Sequence, residues 1–129
     1  MAPNGFTGSG TNLAAFSGVD LLIGGGATNN RLTGADQTAV WNFAASDGYD
    51  LSGMVLTFSG FEILTGGLQD DTFAFQPGAV FDGSIEGGAH ILYDQLNYIA
   101  YDAPVTVNFE SSSATALTGT FAGIEDFVG

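Results

Sequence analysis

The stretch "FSGFEILTGGLQDDTF", Phe58–Phe73, decides how the chain is read. Its first half, "FSGFEILTG" (Phe58–Gly66), returns as "FSGVDLLIG" (Phe16–Gly24) and as "FAGIEDFVG" (Phe121–Gly129). The closing glycines lie 42 and 63 residues apart, both multiples of 21, and the pair Gly87-Gly88 begins one such step after Gly66. Self-similarity at a fixed period is the signature of a repeat architecture.

Stepping by 21 from Gly24 gives Ala45, Gly66, Gly87, Asn108 and Gly129, all small or turn-forming. Two places earlier the column reads Leu22, Phe43, Leu64, Ile85, Thr106 and Phe127, with Thr106 the polar exception. Such columns predict a solenoid, in which equivalent side chains stack into apolar ladders and each coil rises about 4.8 Å. Short β-rich runs agree: "VWNFA" (Val40–Ala44), "MVLTF" (Met54–Phe58), "TFAFQ" (Thr72–Gln76) and "VTVNF" (Val105–Phe109). Gly, Asn, Asp, Ser and Pro punctuate them, and no segment sustains a helical period. The expectation is an all-β, parallel, right-handed β-solenoid (β-helix) of about six coils of 21 residues, in one domain over residues 1–129. A 21-residue period suits three sides better than a two-sided roll. A β-sandwich is the alternative, because short strands and frequent turns also describe it.

Composition narrows the partners. The 129 residues carry fourteen acids against one base, Arg31, for a net charge of −13. That field repels phosphate and anionic lipid and attracts cations. Nucleic acid is therefore excluded as a partner. No apolar run reaches the roughly 18 residues of a membrane span, so membrane insertion is not expected. The opening "MAPNGFTGSG" shows neither the basic nor the apolar region of a secretory leader. With no cysteine, disulfides play no part.

The second half of the opening stretch, "GGLQDDTF", resembles the haemolysin-type (RTX-like) calcium-binding nonapeptide, Gly-Gly-x-Gly-x-Asp-x-apolar-x. Gly66, Gly67, Asp71 and Phe73 match, and Gln69 stands where the third glycine belongs. "GGATNNRL" (Gly25–Leu32) is a weaker copy, and "GGAHILYDQL" (Gly87–Leu96) carries an insertion before Asp94. The longer frame resembles filamentous-haemagglutinin-like bacterial surface repeat proteins, through "QLNYIAYDAPVTVNF" and "FAGIEDFVG". This resemblance implies secretion to a bacterial cell surface or matrix, calcium, and a structural or adhesive role.

Calcium takes six to eight hard oxygen ligands. Five places after the anchor glycines stand Asn29, Asp50 and Asp71, which a strict 21-residue coil would stack, with Asp70 beside them. Stacked carboxylates repel unless a cation lies between them. Asn29, Asp50, Asp70 and Asp71 are thus the candidate metal ligands, and a solvated Asn/Asp ladder is the plainer alternative.

Other polar residues suggest no catalysis. Asp20, Glu62 and Glu125 share one repeat position and read as ladder or turn contacts. Asp94 has no acidic partner within its own turn, His90 reads as a turn residue, and Arg31 as a surface group or ion-pair partner. Trp41, Tyr93, Tyr98 and Tyr101 suit core packing or, as an alternative, a sugar platform. No catalytic residue is expected, and the chain reads as a non-enzyme. Its first and last repeats share one phase, which suits either a piece of a longer repeat protein or copies that stack head to tail through open coil ends. The two readings are a structural module associating with itself, and an autonomous calcium- or glycan-binding module.

Overall fold

The computed structural model describes residues 6–10 and 13–129. Much of the stretch read for a leader lies outside them. The described residues form strands and no helix. In chain order the strands are β1 (Phe6–Gly10), β2 (Leu13–Val19), β3 (Leu21–Ile23), β4 (Arg31–Thr33) and β5 (Ala39–Phe43). There follow β6 (Asp47–Leu51), β7 (Met54–Ser59), β8 (Ile63–Thr65), β9 (Asp71–Phe75) and β10 (Ser84–Glu86). The last are β11 (Gln95–Asn97), β12 (Val107–Asn108), β13 (Ser113–Ala114), β14 (Phe121–Ala122) and β15 (Asp126–Val128).

Two sheets carry the architecture. One has the order β14-β10-β8-β4, with every pair parallel. The other runs β15-β11-β9-β5-β6-β7-β3 and is parallel except where β6 pairs antiparallel with β5 and β7. The chain passes from a strand of the first sheet around a corner into a strand of the second: β4 to β5, β8 to β9, β10 to β11, β14 to β15. The result is a β-solenoid of about three turns. A single parallel bridge, Phe81 to Leu117, marks a third side.

The expected six coils of 21 residues do not form. Only one turn has the plain length: Leu64 pairs with Ile85, 21 residues on. The turn before it is lengthened by the hairpin β6–β7, so Leu32 pairs with Leu64. The turn after it is lengthened by the antiparallel pair β12–β13, so Ile85 pairs with Phe121. The 21-residue column therefore mixes positions. Leu22 lies beside Phe58, and Phe43 beside Phe75.

Alternation explains what is buried. Strands β5 and β9 point every second residue inward, and Trp41, Phe43, Phe73 and Phe75 are fully buried. Parallel pairing sets like side chains above one another. Trp41 stacks on Phe73 with ring centroids 5.7 Å apart, and Phe43 on Phe75 at 4.6 Å. Phe75 in turn stacks on Tyr98 at 4.9 Å. The hairpin belongs to this core, since Tyr49, Leu51, Leu56 and Phe58 are buried with it. Its two-residue turn places both Ser52 and Gly53 at positive φ, the geometry that matches strand twist.

Candidate functional site

The corner from the first sheet into the second begins with glycine in each turn. Pairing of Thr33 with Thr65, Thr65 with Glu86, and Glu86 with Ala122 aligns the residues that follow: Gly34, Gly66, Gly87 and Gly123. Three of their N–H groups donate to the next turn: Gly34 to Thr65 O, Gly66 to Glu86 O and Gly87 to Ala122 O, each 2.8 Å. Side chains have no room here. A Cβ on Gly66 would lie 2.0 Å from Gly87 O and 2.6 Å from Asp71 Oδ2. One on Gly87 would lie 1.9 Å from Gly123 O and 2.7 Å from Asp94 Oδ2.

The glycines make space for carboxylates. Where the corner enters the second sheet, the stacked column reads Ala39, Asp71, Asp94 and Glu125, by extension of the register of β5, β9, β11 and β15. Asp71 and Asp94 are the buried acids among the described residues, at 1% and 0% exposure. Each links its turn to a neighbour. Asp71 N donates to Asp94 Oδ1 at 2.7 Å, and Asp94 N to Glu125 Oε2 at 3.0 Å. Gly67 N donates to Asp71 Oδ2 at 2.8 Å. Asp71 Oδ1 and Asp94 Oδ2 are buried without a hydrogen-bond partner.

His90 completes the group. Its Nδ1 lies 3.1 Å from Glu125 Oε2 and 3.7 Å from Asp94 Oδ2. His90, Asp94 and Glu125 can each offer a metal-ligating atom, and these atoms lie within 4.8 Å of one another. The loop holding His90 is fixed from the turn below, where Asp70 Oδ1 accepts the N–H groups of Ile91 and Leu92, each at 2.8 Å.

Burial dominates the electrostatics. Desolvation pushes the Asp71 carboxyl up to about 6, opposed by the Gly67 N–H and assisted by the charge of Asp94. The Trp41 indole N–H also favours the charged form without closing a hydrogen bond of normal geometry. Desolvation likewise raises Asp94, against the Asp71 N–H. Asp70, held by the Leu92 N–H first of all, is lowered.

The four residues expected to hold calcium do not come together. Asp70 and Asp71 are at this corner. Asp50 lies on β6, opposite exposed Val40, while Asp71 lies opposite buried Ala39. Asp50 is therefore on the outer face, where its Oδ1 accepts the Gly53 N–H at 2.8 Å and closes the hairpin turn. Asn29 is exposed in the connection from β3 to β4, which runs the opposite way between the sheets. The strict 21-residue step aligned these residues, and the β6–β7 insertion breaks that step.

Asp94, read from sequence as lacking an acidic partner within its own turn, finds partners in the neighbouring turns. Two extra corner residues place it opposite Asp71, 23 positions earlier. Glu62 and Glu125 are inter-turn contacts, as their shared repeat position suggests. Asn30 N donates to Glu62 Oε2 at 2.8 Å, as Asp94 N does to Glu125. Arg31 pairs with Glu86 across the intervening β8. Trp41 and Tyr98 are buried and offer no sugar platform. Sequence reasoning passed over His90 as a site residue, because Glu125, which joins it and nearby Asp94, is distant in sequence.

No protein-family model, no curated protein and no solved structure matches the chain. The corner is thus interpreted from its own geometry: a carboxylate and imidazole cluster that ties turns of a β-solenoid together.

Proposed function

We propose that the chain is a structural module of an extracellular bacterial surface, matrix or fibre protein, working by stiffness and axial association rather than by catalysis. The observation that carries this reading is the shape of the solenoid end. Both sheets terminate in one turn, with β14 and β15 each paired on one side only among the described residues. Edge strands of this kind present unpaired N–H and C=O groups to another chain. At the far end of the two sheets stand β4 and β3. That end is staggered, because β4 is level with β5 while β6, β7 and β3 carry the second sheet further. Copies stacked head to tail would therefore continue the second sheet from β15 to β3, an unlike-ended contact that propagates. A right-handed coil sense goes with this reading, as for nearly all parallel crossovers. Calcium enters as the cation that moderates the −13 charge between copies.

Sedimentation velocity of the pure chain, in chelator and then in millimolar calcium, tests this. Linear species growing with concentration support it, and their enhancement by calcium supports the cation's part. A 13.2 kDa monomer at every concentration in both buffers overturns end-to-end association.

A further inference from the structure

We infer that His90, Asp94 and Glu125 form a site for a divalent cation of the zinc type, which clips the last two turns of the solenoid together. His90 and Asp94 come from the corner after β10, and Glu125 from the corner after β14, so one ion would join adjacent turns. Zinc binds imidazole nitrogen and carboxylate oxygen at about 2.0–2.2 Å, which sets tetrahedral ligand atoms about 3.4 Å apart. The separations of His90 Nδ1 from Glu125 Oε2 and Asp94 Oδ2, 3.1 and 3.7 Å, bracket that value.

An independent observation points to a ligand. Asp94 Oδ2 is fully buried, has no hydrogen-bond donor and faces His90 Nδ1. A buried carboxylate oxygen without a partner is costly, and a cation satisfies it. Its sister oxygen is already engaged by Asp71 N, which fixes the plane of the carboxylate. Asp70 holds the His90 loop through two backbone N–H groups, so the cluster is braced from the turn below.

Donor chemistry selects the metal. Calcium and magnesium favour an all-oxygen shell, whereas imidazole suits zinc and its transition-series neighbours. Three protein ligands leave a fourth position for water, and the His90 side chain, about one-third exposed at 32%, provides a way in. Both ligand-bearing corners are ordered only in the folded chain, so ion binding adds to fold stability. The site stands apart from end-to-end association, because all three ligands belong to one chain.

The test uses the full chain, stripped with chelator and then dialysed. Zinc(II), calcium and magnesium chlorides are titrated separately by calorimetry and thermal melting. His90 is the sole histidine, so one pair of imidazole ¹⁵N resonances reports the ligand directly. The expected result is one zinc per chain, a rise in Tm of about 5 °C or more at saturation, and a metal shift at Nδ1. Calcium and magnesium at equal concentration should leave the imidazole unmoved. His90→Ala and Glu125→Gln, both at partly exposed side chains, should each weaken zinc at least tenfold while keeping the wild-type circular dichroism. If a variant does not fold, the wild-type ¹⁵N spectrum decides. Absence of saturable zinc binding, unchanged affinity in folded His90→Ala, or an imidazole that zinc leaves unshifted would each overturn the assignment.

Discussion

Gly66 shows how a single residue holds the corner open. Its neighbours leave no volume for a methyl group: backbone Gly87 O and buried Asp71 Oδ2 already occupy the approach. Gly66→Ala should therefore cost about 1–3 kcal/mol through forced displacement of backbone. Gly26→Ala, where nothing lies within 4 Å, should stay within about 0.5 kcal/mol of wild type. Urea denaturation of the two variants measures the contrast, and equal losses would deny the corner its tight fit. Asp71 makes a second prediction, in metal-free buffer with chelator. Its carboxyl titrates near 6 in the fold and near its ordinary 3.8 in the unfolded chain. The folded state then binds more proton between those values, so stability should rise as pH falls from 7 towards 4. The full effect is roughly 3 kcal/mol, present below the ordinary value and lost as pH rises through 6. Asp94, also raised, adds in the same direction. Asp70 and Glu86, both lowered, oppose it as pH falls through their ordinary values of 3.8 and 4.5, so Glu86 begins to do so within this window. Urea midpoints against pH should slope in wild type and flatten in Asp71→Asn; parallel slopes would contradict burial as the cause.

At the scale of the element, the aromatic ladder carries the packing. Phe75 lies between Phe43 and Tyr98, touching one ring in each adjacent turn. Phe75→Ala should cost about 3–5 kcal/mol, because the cavity is walled by two further rings that cannot collapse into it. Val80→Ala, at an exposed position, should change stability little. Thermal melting of both would reveal whether the ladder or the backbone pairing dominates. These strands were legible from sequence because inward and outward residues alternate in "VWNFA" and "TFAFQ". The strand-to-strand partnership was legible only from Leu64 to Ile85, where no insertion intervenes. Elsewhere a hairpin whose residues are themselves apolar enters the core, and periodicity cannot tell such an insertion from another coil. The same break misplaced Asp50 and Asn29. Asp71 was assigned to a corner by its local motif, in which Gln69 replaces the third glycine. His90 and Glu125 meet through a turn lengthened by β12–β13, a distance no short motif encodes.

Over the whole molecule the charge is nearly all of one sign. Arg31 is the sole arginine or lysine, set against fourteen acids. Its pairing with Glu86 is solvent-exposed, and such pairs contribute little to stability. Repulsion among the remaining acids is spread over the surface and acts against the compact state. At low salt the screening length is long enough, about 30 Å at 0.01 M, for distant acids to interact; at 0.1 M it falls to about 10 Å. Added sodium chloride should therefore stabilise this fold, raising Tm by about 3–6 °C between 0.02 and 0.5 M, equivalent to a gain of about 1–2 kcal/mol. Arg31→Gln should leave the direction of that response unchanged, because one weak pair cannot offset the general repulsion. The same screening should promote head-to-tail association, since each junction brings two acidic bodies together. Circular dichroism melts and sedimentation over one salt series measure both effects on one sample. A Tm that falls with salt would show that specific ion pairs outweigh the net charge. A rising Tm without larger species would mean that screening stabilises the single chain while the edges of β14 and β15 remain unpaired.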